Sequence, residues 1–165
     1  MSTTERDRPG KLPLLARSLV LPFLAAAIGG TATARSLDDW YANLEKPPLT
    51  PPGAVFGPVW TTLYLLMGIA HFLVSQTDSH PERQRQAQVL YGAQLALNAL
   101  WSVLFFGLRS PLAGLVEIGL LWLAILLTVV AFARISLPAA LLLLPYLAWV
   151  SLAAFLNFGV WRLNG

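Results

Sequence analysis

The hydrophobic and polar positions of this 165-residue chain alternate in long blocks. Five mostly apolar blocks cover residues 12–34, 55–76, 85–108, 112–133 and 137–161. Each block is long enough to cross about 30 Å of hydrocarbon as a helix of roughly 20 residues. No strand-like alternation is visible, and backbone groups in lipid must pair within a helix or a closed barrel. The pattern therefore predicts an all-α integral membrane protein, a bundle of five transmembrane helices.

The connections between the blocks predict how the helices are arranged. Three of them are short, which makes consecutive helices antiparallel neighbours. The first connection, from Arg35 to Ala54, is long. There Ser36 is expected to cap a short helix, and four prolines between residues 47 and 52 prevent it from continuing. We expect this segment to form a lid over one end of the bundle. The chain then divides into a polar N-terminal extension (1–11) and one membrane domain (12–165).

The first apolar block has two interpretations. A basic segment precedes it, and it ends with Ala32-Thr33-Ala34, which resembles a signal-peptide cleavage site. However, the block is long for the core of a signal peptide. Ala26, Gly30 and Ala34 also lie four residues apart, a spacing of small residues that lets membrane helices pack closely. Both arguments favour a retained helix.

Composition and charge support the membrane assignment. Apolar residues make up 56% of the chain and charged residues 12%, whereas a typical soluble domain has about 25% charged residues. The net charge of +3 comes from cations scattered at the ends of apolar blocks, so no nucleic-acid surface is predicted. Seven cations fall on the N-terminal side and four on the other, which favours a cytoplasmic N-terminus. The chain has no cysteine and two histidines, which argues against a metal site.

Polar and aromatic residues form stripes on three of the blocks. Their spacing of three or four residues places them on one face of each helix: Trp60, Tyr64, Met67 and His71; Tyr91, Gln94, Asn98 and Trp101; Tyr146, Trp149, Ala153 and Asn157. Such faces favour a cavity for a flat hydrophobic ligand that stacks on indole rings. For Asn157 a structural bond between helices is as good an interpretation. Glu117 is expected to bond to a neighbouring helix, with an ion site as the alternative. His71 is expected to be a satisfied polar residue rather than a haem ligand.

Signals for catalysis and for transport are missing. The sequence has no glycine-rich phosphate loop, no cysteine nucleophile and no second intramembrane histidine. It also shows no internal repeat and no broken helix within a span beyond Pro22. No catalytic residue is therefore assigned from the pattern alone.

Several motifs, in order along the chain, resemble the TspO/MBR family, whose animal members are called translocator protein or peripheral benzodiazepine receptor. They span residues 36–164 and read Trp40-Tyr41-x-x-Leu44-x-Lys46-Pro47, Phe56-Gly57-Pro58-Val59-Trp60-x-x-Leu63-Tyr64, Gln94-Leu95-x-Leu97-Asn98-x-x-Trp101, Pro145-Tyr146-Leu147-Ala148-Trp149 and Leu156-Asn157-Phe158-x-Val160-Trp161-Arg162.

The resemblance implies a five-helix receptor, often a homodimer, that binds protoporphyrin IX-like tetrapyrroles and drug-like ligands such as benzodiazepines. No other cofactor is expected. Gly92 and Ala96, four residues apart on the third block, fit a homodimer contact. Together with the stripes, the resemblance gives these ligand-binding residues: Trp40, Tyr41, Trp60, Tyr64, Gln94, Asn98, Trp101, Tyr146, Trp149, Ala153, Leu156 and Asn157.

The resemblance leaves three functions to weigh. The first is a tetrapyrrole receptor with a sensory role in tetrapyrrole handling and stress responses. The second is an enzyme that degrades porphyrin in light and oxygen through Trp60 and Trp149. The third is a transporter of porphyrin or lipid. Phe158 stands where the family's sterol-recognition segment has tyrosine, which argues against cholesterol as a partner. Bacterial members of the family suggest a bacterial membrane, inner or outer.

Overall fold

The computed structural model describes residues 10–165, and regular structure in this range is helical throughout. Five helical stretches are long and apolar enough to cross a membrane, so the predicted five-helix architecture is confirmed. Residues 1–9 of the predicted N-terminal extension lie outside the described residues. The α-helices are α1 (Lys11–Ser36), α2 (Gly53–Gln76), α3 (Pro81–Ser102), α4 (Pro111–Ala133), α5 (Leu137–Leu142) and α6 (Leu144–Asn164).

The first connection differs from the prediction at its start. The chain does not leave α1 to begin a separate capped helix, because α1 runs directly into a π-helical turn, Leu37–Tyr41. The Ser36 hydroxyl does not cap it. Instead it donates a hydrogen bond of 2.6 Å to the Phe106 carbonyl oxygen. That carbonyl belongs to a second π-helical turn, Val103–Gly107, which continues α3. Such turns are often found at functional sites.

The fifth span is interrupted, which the sequence analysis did not predict. The span consists of α5 and α6, separated at Leu143, with Pro145 in the first turn of α6. Proline has no N–H, and its ring clashes with the carbonyl four residues earlier, so it starts a helix more readily than it continues one. Pro22 and Pro58 lie inside α1 and α2, and both helices continue through them.

The packing of the helices leaves space beside α2. Helix α1 packs against α2 and α3, α3 against α4, and α4 against α6. In contrast, α2 packs mainly against α1 and α5 and has little backbone contact with α3. The first loop (residues 42–52), residues 108–110 and the end of α6 share one membrane face, here called the loop face. The opposite face, with residues 77–80, is called the N-terminal face.

Candidate functional site

A cavity of about 730 Å³ lies between α1, α2 and the end of α3, near the loop face. This volume is within the range of about 300–1,000 Å³ for small-molecule sites. The lining contains no charged side chain and is mostly apolar. The hydroxyl groups of Thr33 and Thr61 already donate hydrogen bonds to backbone carbonyls, at 2.8 and 2.9 Å. This main cavity is therefore suited to a hydrophobic ligand that needs few hydrogen bonds.

Four predicted ligand-binding residues line the main cavity: Tyr41, Trp60, Tyr64 and Trp101. Trp60 stacks on Tyr64, with ring centroids 5.6 Å apart and planes at 29°. Trp101 stacks on Phe105 at 5.4 Å. The Trp60, Tyr64 and Trp101 rings thus give the cavity flat aromatic surfaces on α2 and α3.

A second, smaller cavity adjoins the first on the side of α6. It has a volume of about 30 Å³, roughly one water molecule. Trp149, Ala153, Leu156 and Asn157, all predicted as ligand-binding, line this small cavity. The wall between the two cavities consists of residues that line both: Tyr41, Phe56, Trp101 and Phe106. A ligand in the main cavity therefore reaches the α6 residues only if these rings move.

Asn98 and Tyr146 lie behind the cavity wall rather than on it. The Tyr64 hydroxyl donates to Asn98 Oδ1 at 2.6 Å, and Asn98 Nδ2 donates to the Tyr146 hydroxyl at 3.1 Å. Asn98 and Tyr146 are both 1% exposed. This chain of bonds joins α2, α3 and α6 and holds the Tyr64 ring against Trp60.

We expect Asn98→Leu to lower the free energy of unfolding by about 1–3 kcal/mol, because it leaves two buried phenol hydroxyls without their partner. The measurement is unfolding in detergent, monitored by helical circular dichroism. Gln86→Leu is the matched control, since Gln86 is an exposed amide on the same helix. Unchanged stability together with weaker ligand binding would instead make Asn98 a direct ligand contact.

The first loop is docked onto the loop face at several points. Asn164 holds the backbone of Glu45 on both sides, since Glu45 N–H donates to Asn164 Oδ1 at 3.0 Å and Asn164 Nδ2 donates to Glu45 O at 2.9 Å. Pro47 is buried against Gly159 of α6. The expected lid thus corresponds to a loop anchored mainly on the end of α6.

Trp40 and Tyr41 connect the end of α1 to the end of α3. The Trp40 ring meets Phe105 edge-on at 5.6 Å, and Tyr41 meets Phe106 at 5.4 Å. Tyr41 lines both cavities, whereas Trp40 lines neither. Nearby, Arg109 pairs with Asp39 at 3.0 Å. Because both side chains of this pair are about half exposed or more, the pair contributes little stability.

The predictions for the remaining polar residues were partly correct. Asn157 forms a structural bond between helices, which was one of its two predicted roles. It accepts a hydrogen bond from Trp101 Nε1 at 3.0 Å and donates one to Pro111 O at 2.7 Å. His71 Nε2 lies 2.6 Å from Gln88 Oε1. The expectation for Glu117 was wrong, since neither carboxyl oxygen has a hydrogen-bond partner among the described residues. Gln94 is buried, lines neither cavity, and its amide is likewise unpartnered.

The spacing of polar and aromatic residues did not predict the contribution of α1 to the cavity. Ala26, Gly30 and Ala34, predicted to pack against a helix, line the main cavity instead. A Cβ atom added to Gly30 would meet nothing within 4 Å. The close contact is made one residue earlier, at Gly29, where an added Cβ would lie 2.9 Å from Ser102 Oγ. The small residues were therefore a signal for the cavity as much as for packing.

A third space is a groove of about 510 Å³ on the outside of the bundle, between α2 and α6. Trp149 lines it together with apolar residues such as Leu66 and Leu152. Trp149 also contacts Phe56 edge-on at 5.9 Å. Trp149 thus lies between the lipid-facing groove and the small cavity, with Phe56 separating it from the main one.

Comparison with known proteins identifies the relatives of this chain. The family described as TspO/MBR matches residues 18–162. "Tryptophan-rich protein TspO" of Chlorobaculum tepidum is 49% identical over 136 residues, which are 82% of this chain and 86% of that protein. "Tryptophan-rich sensory protein" of Cereibacter sphaeroides is 42% identical over 150 residues, 89% of this chain and 92% of that protein. "Translocator protein" of Homo sapiens is 44% identical over 126 residues, 76% of this chain and 75% of that protein. The matched range includes most of α1, so the first span is part of the shared domain.

Proposed function

The chain belongs to the TspO/MBR family of membrane proteins, and on that premise we propose that it is a receptor for protoporphyrin IX-like tetrapyrroles and similar flat hydrophobic molecules. The observation that carries the proposal is the main cavity, which has no charged lining residue and is lined by the rings of Trp60, Tyr64 and Trp101. We assign to it a sensory role in tetrapyrrole handling and stress responses. A homodimer through the outward-facing Gly92 and Ala96 belongs to the same proposal.

The cavity favours a specific pose for such a ligand. The ring system stacks on Trp60. The acidic side chains of the porphyrin stay at the opening of the cavity (its mouth) near the loop face, because the lining offers no cation. Exposed Arg35 directly follows the lining residue Ala34 at that mouth. The dimethyl ester of protoporphyrin IX, which lacks the acidic groups, should therefore still bind.

Trp60→Leu is expected to weaken protoporphyrin IX binding about tenfold, since a stacked aromatic pair contributes about 0.5–1.5 kcal/mol beyond its buried area. The measurement is a titration in darkness, following quenching of tryptophan fluorescence in the purified protein in detergent. Trp122→Leu is the matched control because Trp122 lies on the outer side of α4, bonded to Ser151. Equal affinities in the two variants would place the ligand elsewhere, and no saturable quenching in the unmodified protein would refute the receptor proposal.

A second candidate function, light- and oxygen-dependent porphyrin breakdown, is favoured by the stacked Trp60–Tyr64 pair on the cavity wall. Stacked, oxidisable rings against a porphyrin are a suitable arrangement for electron transfer. Illumination of the bound complex in air, followed by absorbance, distinguishes the two functions. Loss of the porphyrin bands that is slower in Trp60→Phe than in Trp149→Phe would favour the enzyme, with Trp60 as the reacting residue. Unchanged bands would favour the receptor.

A further inference from the structure

A continuous stripe of polar side chains runs along the interior of α3 from the N-terminal face to the cavities. Its members are three or four residues apart, as neighbours on one helix face are: Gln84, Gln88, Tyr91, Gln94, Asn98 and Trp101. The last four are at most 8% exposed. Polar groups inside a membrane are costly and are usually kept for function. Tyr91 and Gln94 have no hydrogen-bond partner among the described residues, so bonds between helices do not account for their polarity.

Buried polar atoms without partners are found both on the stripe and on the other helices. Among the described residues, no hydrogen-bond partner exists for both Glu117 oxygens, both Gln94 amide atoms, the Tyr91 hydroxyl, His71 Nδ1 and Ser18 Oγ. Native proteins leave few such groups, and internal water commonly satisfies them. His71 stacks on Tyr91 with centroids 4.7 Å apart, so these two residues lie side by side at the N-terminal part of the stripe.

The gaps along the stripe are short. Gln94 is one helical turn from Tyr91 on one side and from Asn98 on the other, about 5–6 Å between Cβ atoms, a distance that one water molecule spans. Asn98 is bonded to Tyr146, and Glu117 lies within electrostatic reach of Tyr146. Toward the N-terminal face, His71 is bonded to Gln88. Polar groups thus follow α3 from that face to Asn98, and Tyr146 of α6 continues the series towards Glu117 of α4.

In the described part of the chain, no cation pairs with Glu117. The elements packed against α4 are α3, the turn Val103–Gly107, α5 and α6. Within the membrane, their only titratable groups are the phenols Tyr91 and Tyr146. Their charged groups lie at the two membrane faces: Glu82, Arg83, Arg85 and Arg162.

At the N-terminal end of the stripe a cation is present, because Arg17 of α1 lies within electrostatic reach of His71 of α2. At the Glu117 end, an ionised carboxylate would be buried without a partner, at a cost of several kcal/mol. Burial without a partner therefore favours the protonated form of the Glu117 carboxyl over the ionised form.

We propose that the stripe is a hydrated path for protons between the N-terminal face and Glu117, and that the Glu117 carboxyl is the proton-binding site at its end. The carboxyl releases its proton to a water molecule as hydronium, and the carboxylate takes a proton back from the same chain of water, so no co-reactant is consumed. The site takes water and protons, and it does not depend on which ligand fills the main cavity.

Infrared spectroscopy of the full chain in lipid vesicles tests this proposal. At neutral pH we expect a C=O stretching band of a protonated carboxyl, which Glu117→Gln lacks, because exposed acids with a pKa near 4 are ionised there. The band should shift when the vesicles are transferred to D2O. In Gln94→Leu and in Tyr91→Phe the shift should develop about tenfold more slowly, equivalent to about 1.4 kcal/mol in the barrier. Gln86→Leu, an exposed change on the same helix, should exchange at the unmodified rate.

Three results would overturn the proposal. The first is the absence of the band at neutral pH, which would make Glu117 an ionised residue. The second is an unchanged exchange rate in both Gln94→Leu and Tyr91→Phe, which would show that water does not travel along α3. The third is exchange that slows only when protoporphyrin IX is added, which would show that water enters from the main cavity. The first result needs only the unmodified protein and Glu117→Gln, and Tyr91→Phe removes a single hydroxyl group, so a misfolded variant does not block the test.

Discussion

Replacing Gly68 with valine should lower the free energy of unfolding by about 3 kcal/mol and abolish ligand binding in the main cavity. Overpacking of a tight contact typically costs about 1–3 kcal/mol. Gly68 lies where α1 and α2 cross, and a Cβ atom there would meet the Leu19 side chain and lie 3.3 Å from Leu19 Cα. Because a backbone atom is in the way, α1 itself must move, and α1 and α2 form two walls of the cavity. Thermal unfolding in detergent and a protoporphyrin IX titration measure the two effects.

Gly119→Val is the matched control for this change. Gly119 lies within α4, and a Cβ atom there would meet nothing within 4 Å. Its variant should unfold like the unmodified protein, since the only remaining difference is the small helix propensity change. If both glycine variants lost the same stability, the close crossing of α1 and α2 would not be the cause.

Gly159→Leu should release the first loop and weaken protoporphyrin IX binding on the order of 30- to 150-fold, the equivalent of about 2–3 kcal/mol for the lost burial of one large apolar side chain. A Cβ atom on Gly159 would overlap the Pro47 ring, which is rigid and cannot turn away. The loop then loses its contact with α6, and Tyr41, which directly precedes the loop and lines the main cavity, is held less firmly in place. Binding kinetics give the affinity, and the loss should be found mainly in faster dissociation.

Hydrogen exchange separates loop release from damage to the helices. The Glu45 amide is protected by Asn164, so its exchange should become faster in Gly159→Leu while amides within α3 and α4 stay protected. Asn164→Ala removes the same anchor without adding bulk and should change Glu45 exchange in the same direction. A Gly159→Leu variant with a protected Glu45 amide would show that the loop tolerates the leucine. This readout is independent of ligand identity, so it remains informative if protoporphyrin IX does not bind.

The limits of the sequence analysis are clearest at Ser36 and Leu143. Ser36 followed by two acidic residues has the pattern of a helix start, but a carbonyl group 70 residues away accepts the hydrogen bond of its hydroxyl group. The Leu143 break follows from Pro145, a local signal that was available but was masked by the continuous apolar run. In the first case a tertiary contact overrode a local preference, and in the second a local cue was outweighed by hydropathy.

At the candidate site, too, the local pattern predicted some features and tertiary packing decided others. Trp60, Tyr64 and Trp101 were predicted from their spacing and they do line the main cavity. Asn98 and Gln94 share the helix face of Trp101 but lie deeper in the bundle, because α2 leans towards α1 and α5 and opens the space only near the loop face. Spacing along one helix shows which residues share a face. It does not show how far along the bundle the neighbouring helix stays in contact.

The sequence by itself determined that the chain is a five-span membrane protein, and which polar and aromatic side chains share one face on three of its helices. Hydropathy and helical periodicity decide these features, since both act within one segment and lipid allows few alternatives. Only the tertiary structure decided where the cavities lie, that the small residues of α1 form a wall of one, and that Glu117 is buried without a partner. These features depend on distances between segments far apart in the chain, and those distances are set by close contacts such as Gly68 on Leu19 and Gly159 on Pro47.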